Sequence, residues 1–327
     1  MNSKKQAVVV IGGAGYIGSH TCKALHQAGF LPVVLDNLVG GYEEFVKWGP
    51  LVKADMTDRE AWESLIQTYQ PVAALHFASF INVGESVQNP QKYYDNNVIK
   101  SLQLLSLLKE FNIHNIVFSS TAALYGNPIV TPIPETHPLA PINPYGLTKY
   151  SIEKALQDYS HAYQSRYVAL RYFNAAGADP DGEVGEAHVP ETHLIPLILQ
   201  AVLGKRPHIT LFGQDYPTPD GTCIRDYIHV KDLAYAHVLA LHYLLDGNAS
   251  VALNLGTGNG YSVAEVLAAV ERVTQRKVPA LYGPRRAGDP AILVADASLA
   301  QQVLGWKPEC SELETLVSHA WAWENRI

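Results

Sequence analysis

Ala7-Val8-Val9-Val10-Ile11-Gly12-Gly13-Ala14-Gly15-Tyr16-Ile17-Gly18 decides the fold of this chain. The first five residues form a continuous, largely β-branched apolar run, the pattern of a strand buried on both faces. Such strands belong to parallel sheets covered by helices. The glycines that follow satisfy GxGxxG at 13, 15 and 18 and GxxGxxG at 12, 15 and 18. Between a strand and a helix they allow a tight turn without Cβ atoms and bring a phosphate close to the backbone. The unpaired N–H groups and positive dipole of the helix start then favour an anion. Gly12, Gly15, Tyr16, Ile17 and Gly18 are candidate contacts to a dinucleotide pyrophosphate.

Outward from this turn, Ser19 to Ala28 reads as a helix stopped by Gly29, and Leu31 to Leu35 as a second apolar strand, which completes one βαβ unit. Asp36 ends that strand, with Asn37 beside it. A carboxylate there accepts hydrogen bonds from the adenosine ribose hydroxyls and repels a 2′-phosphate, so NAD is favoured over NADP. Asp55 and Met56, before the next helix, are placed to flank the adenine; an N-cap role for Asp55 is the alternative. The rhythm continues: helix at 58–69, strand 72–76, long helix 89–110, strand 116–119, helix 145–163, strand 168–171. Alternation of this kind predicts an α/β chain with a Rossmann-type doubly wound parallel sheet.

After Asn174, Gly, Pro and Asp crowd residues 177–190 and the rhythm breaks. A smaller C-terminal α/β region for substrate is expected over 175–327, following a dinucleotide-binding domain over 1–174. Helices are expected at 191–203, 230–245, 263–274 and 312–323, and a strand at 251–255. An apolar rhythm over about 225–260 suggests that the chain crosses back to the first sheet.

The chain has 327 residues, 47% hydrophobic and 17% charged, which excludes a disordered tail or a disulfide miniprotein. Its 24 Lys and Arg against 31 Asp and Glu, with no long run of either sign, argue against nucleic acid or a membrane surface as partner. Cys22, Cys223 and Cys310 are too scattered for a disulfide framework or a CxxC metal site, so reduced thiols in a cytoplasmic protein, and no metal, are expected. The glycines at 12 and 13 interrupt the N-terminal apolar run, so it does not read as a signal peptide. No window reaches the roughly 18 apolar residues of a membrane span.

Tyr145 and Lys149 stand one helical turn apart. The YxxxK spacing recurs at Tyr150/Lys154 and Tyr227/Lys231, so the setting must discriminate. The first pair opens a helix after the turn-rich 138–144, and upstream of it a strand ends in Ser119-Ser120-Thr121. Hydroxyls at the C-terminal edge of a parallel strand face the ligand crevice. Tyr150/Lys154 starts five residues later and faces elsewhere on the helix, as a solvated or packing pair. Tyr227/Lys231, next to Arg225-Asp226, is the rival. A tyrosine acts as base near neutrality only if its pKa falls from about 10 toward 7, and a nearby lysine and a cationic nicotinamide ring favour that fall. Thr121, Tyr145 and Lys149 are the candidate catalytic group.

This combination resembles the extended short-chain dehydrogenase/reductase superfamily, and within it the UDP-glucose (UDP-galactose) 4-epimerases, over essentially the whole chain. The stretches that carry the likeness are His76-Phe77-Ala78, Val83 to Val87, Tyr93 to Val98, Arg171-Tyr172-Phe173-Asn174, Gly213 to Pro217 and Gly221 to Val230. The resemblance implies interconversion of UDP-glucose and UDP-galactose on tightly held NAD. The sugar is oxidised at C4, the 4-keto intermediate turns over, and it is reduced again from the opposite face. It also implies cofactor contacts at Phe77, Ala78, Ser79, Asn96, Ser119 and Tyr172. UDP-sugar contacts are implied at Asn174, His193, Leu194, Phe212, Arg225, Arg286 and Asp289, besides Thr121 and Tyr145. Two arginines suit a diphosphate and an aromatic ring suits uracil. A homodimer formed through the helix around 98–108 and the Tyr145 helix is implied as well.

Three positions depart from the family pattern. Phe80-Ile81-Asn82 stands where many members carry a lysine near the nicotinamide end. His193 replaces an asparagine, and Leu293 occupies the position that gates the sugar's 2-substituent, which leaves N-acetylhexosamine and xylose/arabinose substrates open. A 4,6-dehydratase needs an acid/base pair after the threonine, where this chain has Ala122-Ala123. A net NAD-dependent nucleotide-sugar oxidoreductase and a non-catalytic NAD sensor are the remaining alternatives.

Overall fold

The computed structural model describes residues 5–285 and 289–326. Strand β1 (Ala7–Ile11) is buried at every position, as a run with no polar side chain requires. Helix α1 (Tyr16–Gln27) begins earlier than Ser19 because Gly15, in extended backbone, is its N-cap; Tyr16 and Ile17 thereby sit in its first turn. There follow β2 (Leu31–Asp36), a short β3 (Leu51–Lys53), α2 (Arg59–Tyr69) and β4 (Ala73–His76). Helix α3 (Val83–Gln88) is too short to show a hydrophobic period and escapes sequence patterning.

The long helix expected over 89–110 starts with Pro90 behind the N-cap Asn89. It consists of α4 (Pro90–Tyr93), a π-helical stretch (Tyr94–Ile99) and α5 (Lys100–Glu110). Strand β5 (Asn115–Thr121), α6 (Pro144–Tyr163) and β6 (Arg166–Tyr172) complete the first half. Beyond it come β7 (Asn174–Ala176), α7 (Leu194–Val202), β8 (Ile209–Phe212), β9 (Ile224–His229), α8 (Val230–Leu245), β10 (Val251–Leu255) and β11 (Gly260–Ser262). The chain ends through α9 (Val263–Thr274), β12 (Ala280–Gly283), β13 (Ile292–Leu293), α10 (Ser298–Leu304) and α11 (Leu313–Glu324).

Seven strands form one sheet in the order β10-β6-β5-β4-β1-β2-β3. The pairs β1–β2, β2–β3, β1–β4 and β4–β5 are parallel, and Val33, Val9, Ala74 and Ile116 make one buried row across it. From β1 the chain winds outward through β2 and β3, then returns to β4 on the other side of β1. The crevice at the carboxyl ends of β1 and β4 is therefore the topological switch point where α/β sheets bind ligands.

The chain divides into two compact units. The first holds 1–126, 139–171 and 234–253, and the second 127–138, 172–233 and 254–327. These bounds differ from a simple division at residue 174 with a return over 225–260. Strand β9 belongs to the second unit, the return to the first begins within α8, and 127–138 leave the first unit to contribute the Ile133–Ala295 bridge of the second. The core of the first unit joins Val9, Ile11 and Leu35 to Trp62, Leu104, Phe118 and Ile152. That of the second joins Ile198 and Leu199 of α7, Val266 and Val270 of α9, and Leu316 and Val317 of α11. In the second unit β9 pairs with β7, β11 and β13, and β8 pairs with β12.

Candidate active site

Gly12 leaves β1 with φ +81°, and a Cβ there would lie 2.6 Å from Ala78 N. A Cβ on Gly18 would lie 2.2 Å from the Gly12 carbonyl. Both glycines are thus required by backbone against backbone, at the place where the Phe77 and Ala78 amides donate to Ile11 O at 2.8 and 3.1 Å. Among the described residues no side chain caps the N-terminus of α1, so its first amides face the switch-point crevice with the polarity that suits an anion. This cradle fits a dinucleotide pyrophosphate.

Asp36 accepts Ala14 N at 3.0 Å and Leu38 N at 2.8 Å, one on each carboxylate oxygen. Burial raises its pKa, and the Leu38 and Ala14 amides work against that rise. Each oxygen keeps a second lone pair, enough to accept from ribose hydroxyls. Asp55 does not cap α2. Asp58 does, accepting Ala61 N at 3.1 Å, while Asp55 accepts Thr57 N and Oγ1 in its own turn. Asp55 also accepts Asn37 Nδ2 at 3.2 Å and Lys100 Nζ at 2.5 Å. Burial opposes ionisation of Asp55, but Lys100 and Thr57 outweigh it and hold its pKa below the usual carboxylate range. Lys100, on α5, lies in no local motif, so only tertiary structure reveals it. Met56 is buried, and its carbonyl accepts Trp62 Nε1.

The π-helical stretch carries Asn96 and Asn97. Asn96 Nδ2 donates to Asn97 Oδ1, and Asn97 clasps the Phe80 backbone with two 2.9 Å bonds and donates to Thr148 Oγ1 on α6. The buried Asn97 therefore fixes the segment running on from Ala78 and Ser79. Beyond it, Ile81 is exposed and Asn82 is the N-cap of α3.

Helix α6 opens on Pro144 with Asn143 as N-cap, its side chain accepting Gly146 N at 2.8 Å. Tyr145 N donates to Ser86 Oγ at 3.2 Å, and Gly146 must lack a Cβ because one would lie 2.7 Å from Ala123 O. The Thr121 hydroxyl accepts Ala123 N at 3.1 Å, and its side chain favours the ionised form of Tyr145. One turn along, Lys149 Nζ donates to Ser119 O at 2.8 Å, over the Phe118 ring. Thr121, Tyr145 and Lys149 thus meet at the carboxyl edge of β5. Burial acts on the ionisation of both members of the pair. It pushes Tyr145 up to about 12, with the Thr121 side chain opposing, and pushes Lys149 down to about 7, with Glu153 opposing. Protein groups alone keep the proton on the phenol, because a lone buried charge is costly.

Tyr150 and Lys154 pair at the surface, where Lys154 lies over the Tyr150 ring and donates to Gln157. Tyr227 is buried in β9 within the core of the second unit, while Lys231 is exposed on α8. This pair is therefore split between core and solvent.

In the second unit, Asn174 Nδ2 donates to Asp226 O at 3.0 Å, and Arg225 Nη2 pairs with Asp289 Oδ1 at 3.0 Å. Arg225 does not pair with its neighbour. Asp226 is fully buried and accepts Thr257 N and Oγ1, Gly258 N and Ala295 N instead. Phe212 ends β8 half-buried, and Leu194 opens α7 against the core of the second unit. Arg286 lies outside the described residues. His193, the N-cap residue of α7, donates to Glu191 at 2.8 Å; Glu191 and Glu186 outweigh burial and raise its pKa. Glu186, His188, Glu191 and His193 bring ligand atoms within 4.8 Å of one another. The carboxylates are already engaged: Glu186 accepts Ala187 and His188 amides, and Glu191 accepts those of Thr192 and His193.

Residues 8–256 match the model of the NAD dependent epimerase/dehydratase family. The chain belongs to this family. A UDP-glucose 4-epimerase of Rhizobium meliloti (strain 1021) is 54% identical over 319 residues, 98% of this chain and 97% of that protein. The crystal structure of UDP-glucose 4-epimerase from Brucella ovis in complex with NAD superposes with a TM-score of 0.95 at 50% identity, covering 97% of this chain and 98% of that one. The UDP-glucose-4-epimerase of Stenotrophomonas maltophila, with bound NAD and formylated UDP-arabinopyranose, gives 0.95 at 42%, covering 98% of each. Two residues that follow Thr121 bear on which chemistry the site can perform. Here they are Ala122 and Ala123, in a 3₁₀ turn over Ala122–Tyr125, and they offer no acid or base for water elimination.

Proposed function

We propose that this family member is an NAD-dependent UDP-hexose 4-epimerase that interconverts UDP-glucose and UDP-galactose. The observation that carries the proposal is the meeting of Thr121, Tyr145 and Lys149 at the edge of β5, with no carboxylate after Thr121 to divert the chemistry. The relatives named UDP-glucose 4-epimerase support the substrate class. Bound NAD would supply a two-electron oxidation at the sugar C4 and the matching reduction, so there is no net redox change.

In this mechanism Thr121 orients the 4-hydroxyl toward Tyr145; the positive charge of Lys149 and of a bound nicotinamide ring would favour the Tyr145 phenolate, which takes the hydroxyl proton and later returns it to the re-reduced sugar. Lys149 supplies positive charge one helical turn away, and its hydrogen bond to Ser119 O holds it there. The glycine cradle, Asp36, Asn37, Asp55, Met56, Phe77, Ala78, Ser79, Asn96, Ser119 and Tyr172 are assigned to the cofactor. Asn174, His193, Leu194, Phe212, Arg225, Arg286 and Asp289 are assigned to the UDP-sugar. Leu293 is in register with Arg225 and is our candidate for the residue that sets tolerance of the sugar 2-substituent. A homodimer is proposed through α6 and the helix formed by the end of the π-helical stretch and α5, where Ile99, Leu102 and Leu147 expose apolar side chains. Among the described residues no helix is long and apolar enough to cross a membrane, and three free thiols suit a reducing cytoplasm.

Purified protein given UDP-galactose, with no added nucleotide, is expected to form UDP-glucose. Absence of product even after NAD is supplied would sink the proposal. Tyr145→Phe is expected to lower kcat by at least about a hundredfold, the scale of a lost acid/base group, while NAD stays bound. An active variant would redirect attention to Tyr227. Parallel turnover of the glucose/galactose, N-acetylated and xylose/arabinose pairs decides the preferred sugar.

A further inference from the structure

The sequence singles out Tyr145 and Lys149, but the helical spacing continues one step further. Glu153 lies another turn along α6 and is buried, as are Lys149 and Arg171. Its carboxylate accepts Arg171 Nε at 3.0 Å and Nη2 at 2.5 Å, and Ser120 Oγ at 2.5 Å. Arg171 in turn donates to Tyr125 Oη at 3.1 Å and lies over its ring.

The placement of Ser120 gives this cluster its meaning. Side chains alternate along a strand, so Ser119 and Thr121 share one face of β5 and Ser120 the other. Ser119 offers its carbonyl to Lys149, and the Thr121 side chain favours the ionised form of Tyr145. The bond from Ser120 to Glu153 holds the middle of this triplet and so fixes the register of both outer members.

We propose that Glu153 is a positioning residue for the Thr121–Tyr145–Lys149 group, pinning the β5 edge through Ser120 and supplying the negative charge one helical turn from Lys149. The proposal rests on the epimerase function for its kinetic consequence only. The groups that face or couple to Lys149 are His76 on β4, Tyr145 and Glu153 on α6, and Arg171 on β6 behind the carboxylate. His76 is pushed down to about 3, by burial first and by Lys149 second, and so stays neutral at working pH. Glu153 is then the one negative group among these neighbours that opposes loss of the Lys149 proton.

The test uses full-length protein carrying lysine labelled with ¹³C at Cε, with the Lys149 signal assigned by its loss in Lys149→Met. In Glu153→Gln the Lys149 midpoint is expected to fall by about one pH unit, the low end of what a close opposite charge contributes. Glu153→Gln leaves Arg171 buried and unpaired, which can unfold the protein. The double variant Glu153→Gln/Arg171→Gln carries no such charge, and its midpoint should move the same way by less. In kinetics, kcat of Glu153→Gln is expected to drop about tenfold on the alkaline side, since one pH unit is a factor of ten in protonated fraction. KM for the UDP-sugar should stay unchanged, and Glu153→Asp should recover part of the loss. A Lys149 midpoint unmoved in both folded variants, or a change confined to KM, overturns the role of Glu153. A wild-type protein with no epimerase activity overturns the functional assignment alone, because the Lys149 titration reads Glu153 without turnover.

Discussion

Lys149 shows how burial, not proximity, sets the starting protonation of the site. The fold lowers its pKa from 10.5 to about 7, through burial first. Between those values the unfolded chain binds a proton that the folded chain does not, so stability rises with pH across that window. Lys149→Met removes this dependence. Urea unfolding from pH 7 to 9.5 should show wild type gaining roughly 1 kcal/mol per pH unit relative to Lys149→Met. Parallel stability curves for the two proteins would mean that Lys149 stays charged throughout. Tyr145, pushed up to about 12, keeps its proton in the fold while the unfolded phenol ionises from near 10, so its contribution makes stability fall with pH, and only above that window. Gly18, by contrast, acts through a contact within its own turn. A Cβ added at Gly18 would meet the Gly12 carbonyl, so Gly18→Ala is expected to cost about 1–3 kcal/mol, as overpacking does. The thermal shift produced by added NAD should vanish with it. A normal shift would detach the glycine cradle from the cofactor.

Elements place these residues, and α6 places the most. Its N-cap Asn143 sets where the helix starts and hence the direction of Tyr145. Asn143→Ala is expected to cost about 1 kcal/mol and to lower kcat several-fold with little change in KM, as measured by denaturant unfolding and steady-state kinetics. An unchanged kcat would show that Ser86 and Gly146 suffice to hold the helix start. At this scale the sequence is legible where apolar runs are long: β1 and β10 fall on the residues their hydrophobicity indicates, and α8 and α9 likewise. It is not legible for β3, β7, β11 or β13, each two or three residues long. Such strands exist because a neighbour supplies the hydrogen bonds, and nothing in their own composition requires an extended backbone. The π-helical stretch is of the same kind: a helix over 89–110 is predictable from its period, while the wide turn that presents Asn96 and Asn97 is not.

At the scale of the whole molecule, the chain visits the first unit three times. Exposed apolar residues at the start of α5 and on α6 bear on assembly, because Ile99, just before α5, and Leu102 within it are three residues apart. Leu102→Glu is expected to convert a dimer to a monomer in sedimentation velocity. A wild-type protein that already sediments as a monomer would leave those faces without a partner.

Some of this was decided by residues near one another in sequence. The strand, glycine turn and helix of residues 7–27, the Asp at the end of β2 and the Tyr145/Lys149 pair are local patterns, because backbone sterics, helical period and charge act over a few residues. Tertiary structure alone decided the rest. It took Arg225 from its neighbour Asp226 and gave it Asp289, because a fully buried Asp226 is satisfied by three backbone amides and a hydroxyl. It brought Lys100 to Asp55 and Glu153 to Ser120 and Arg171. It also set burial against ionisation of Tyr145, so that the protein groups alone push its pKa up to about 12. Desolvation depends on what surrounds a group from every side, and no stretch of sequence contains that information.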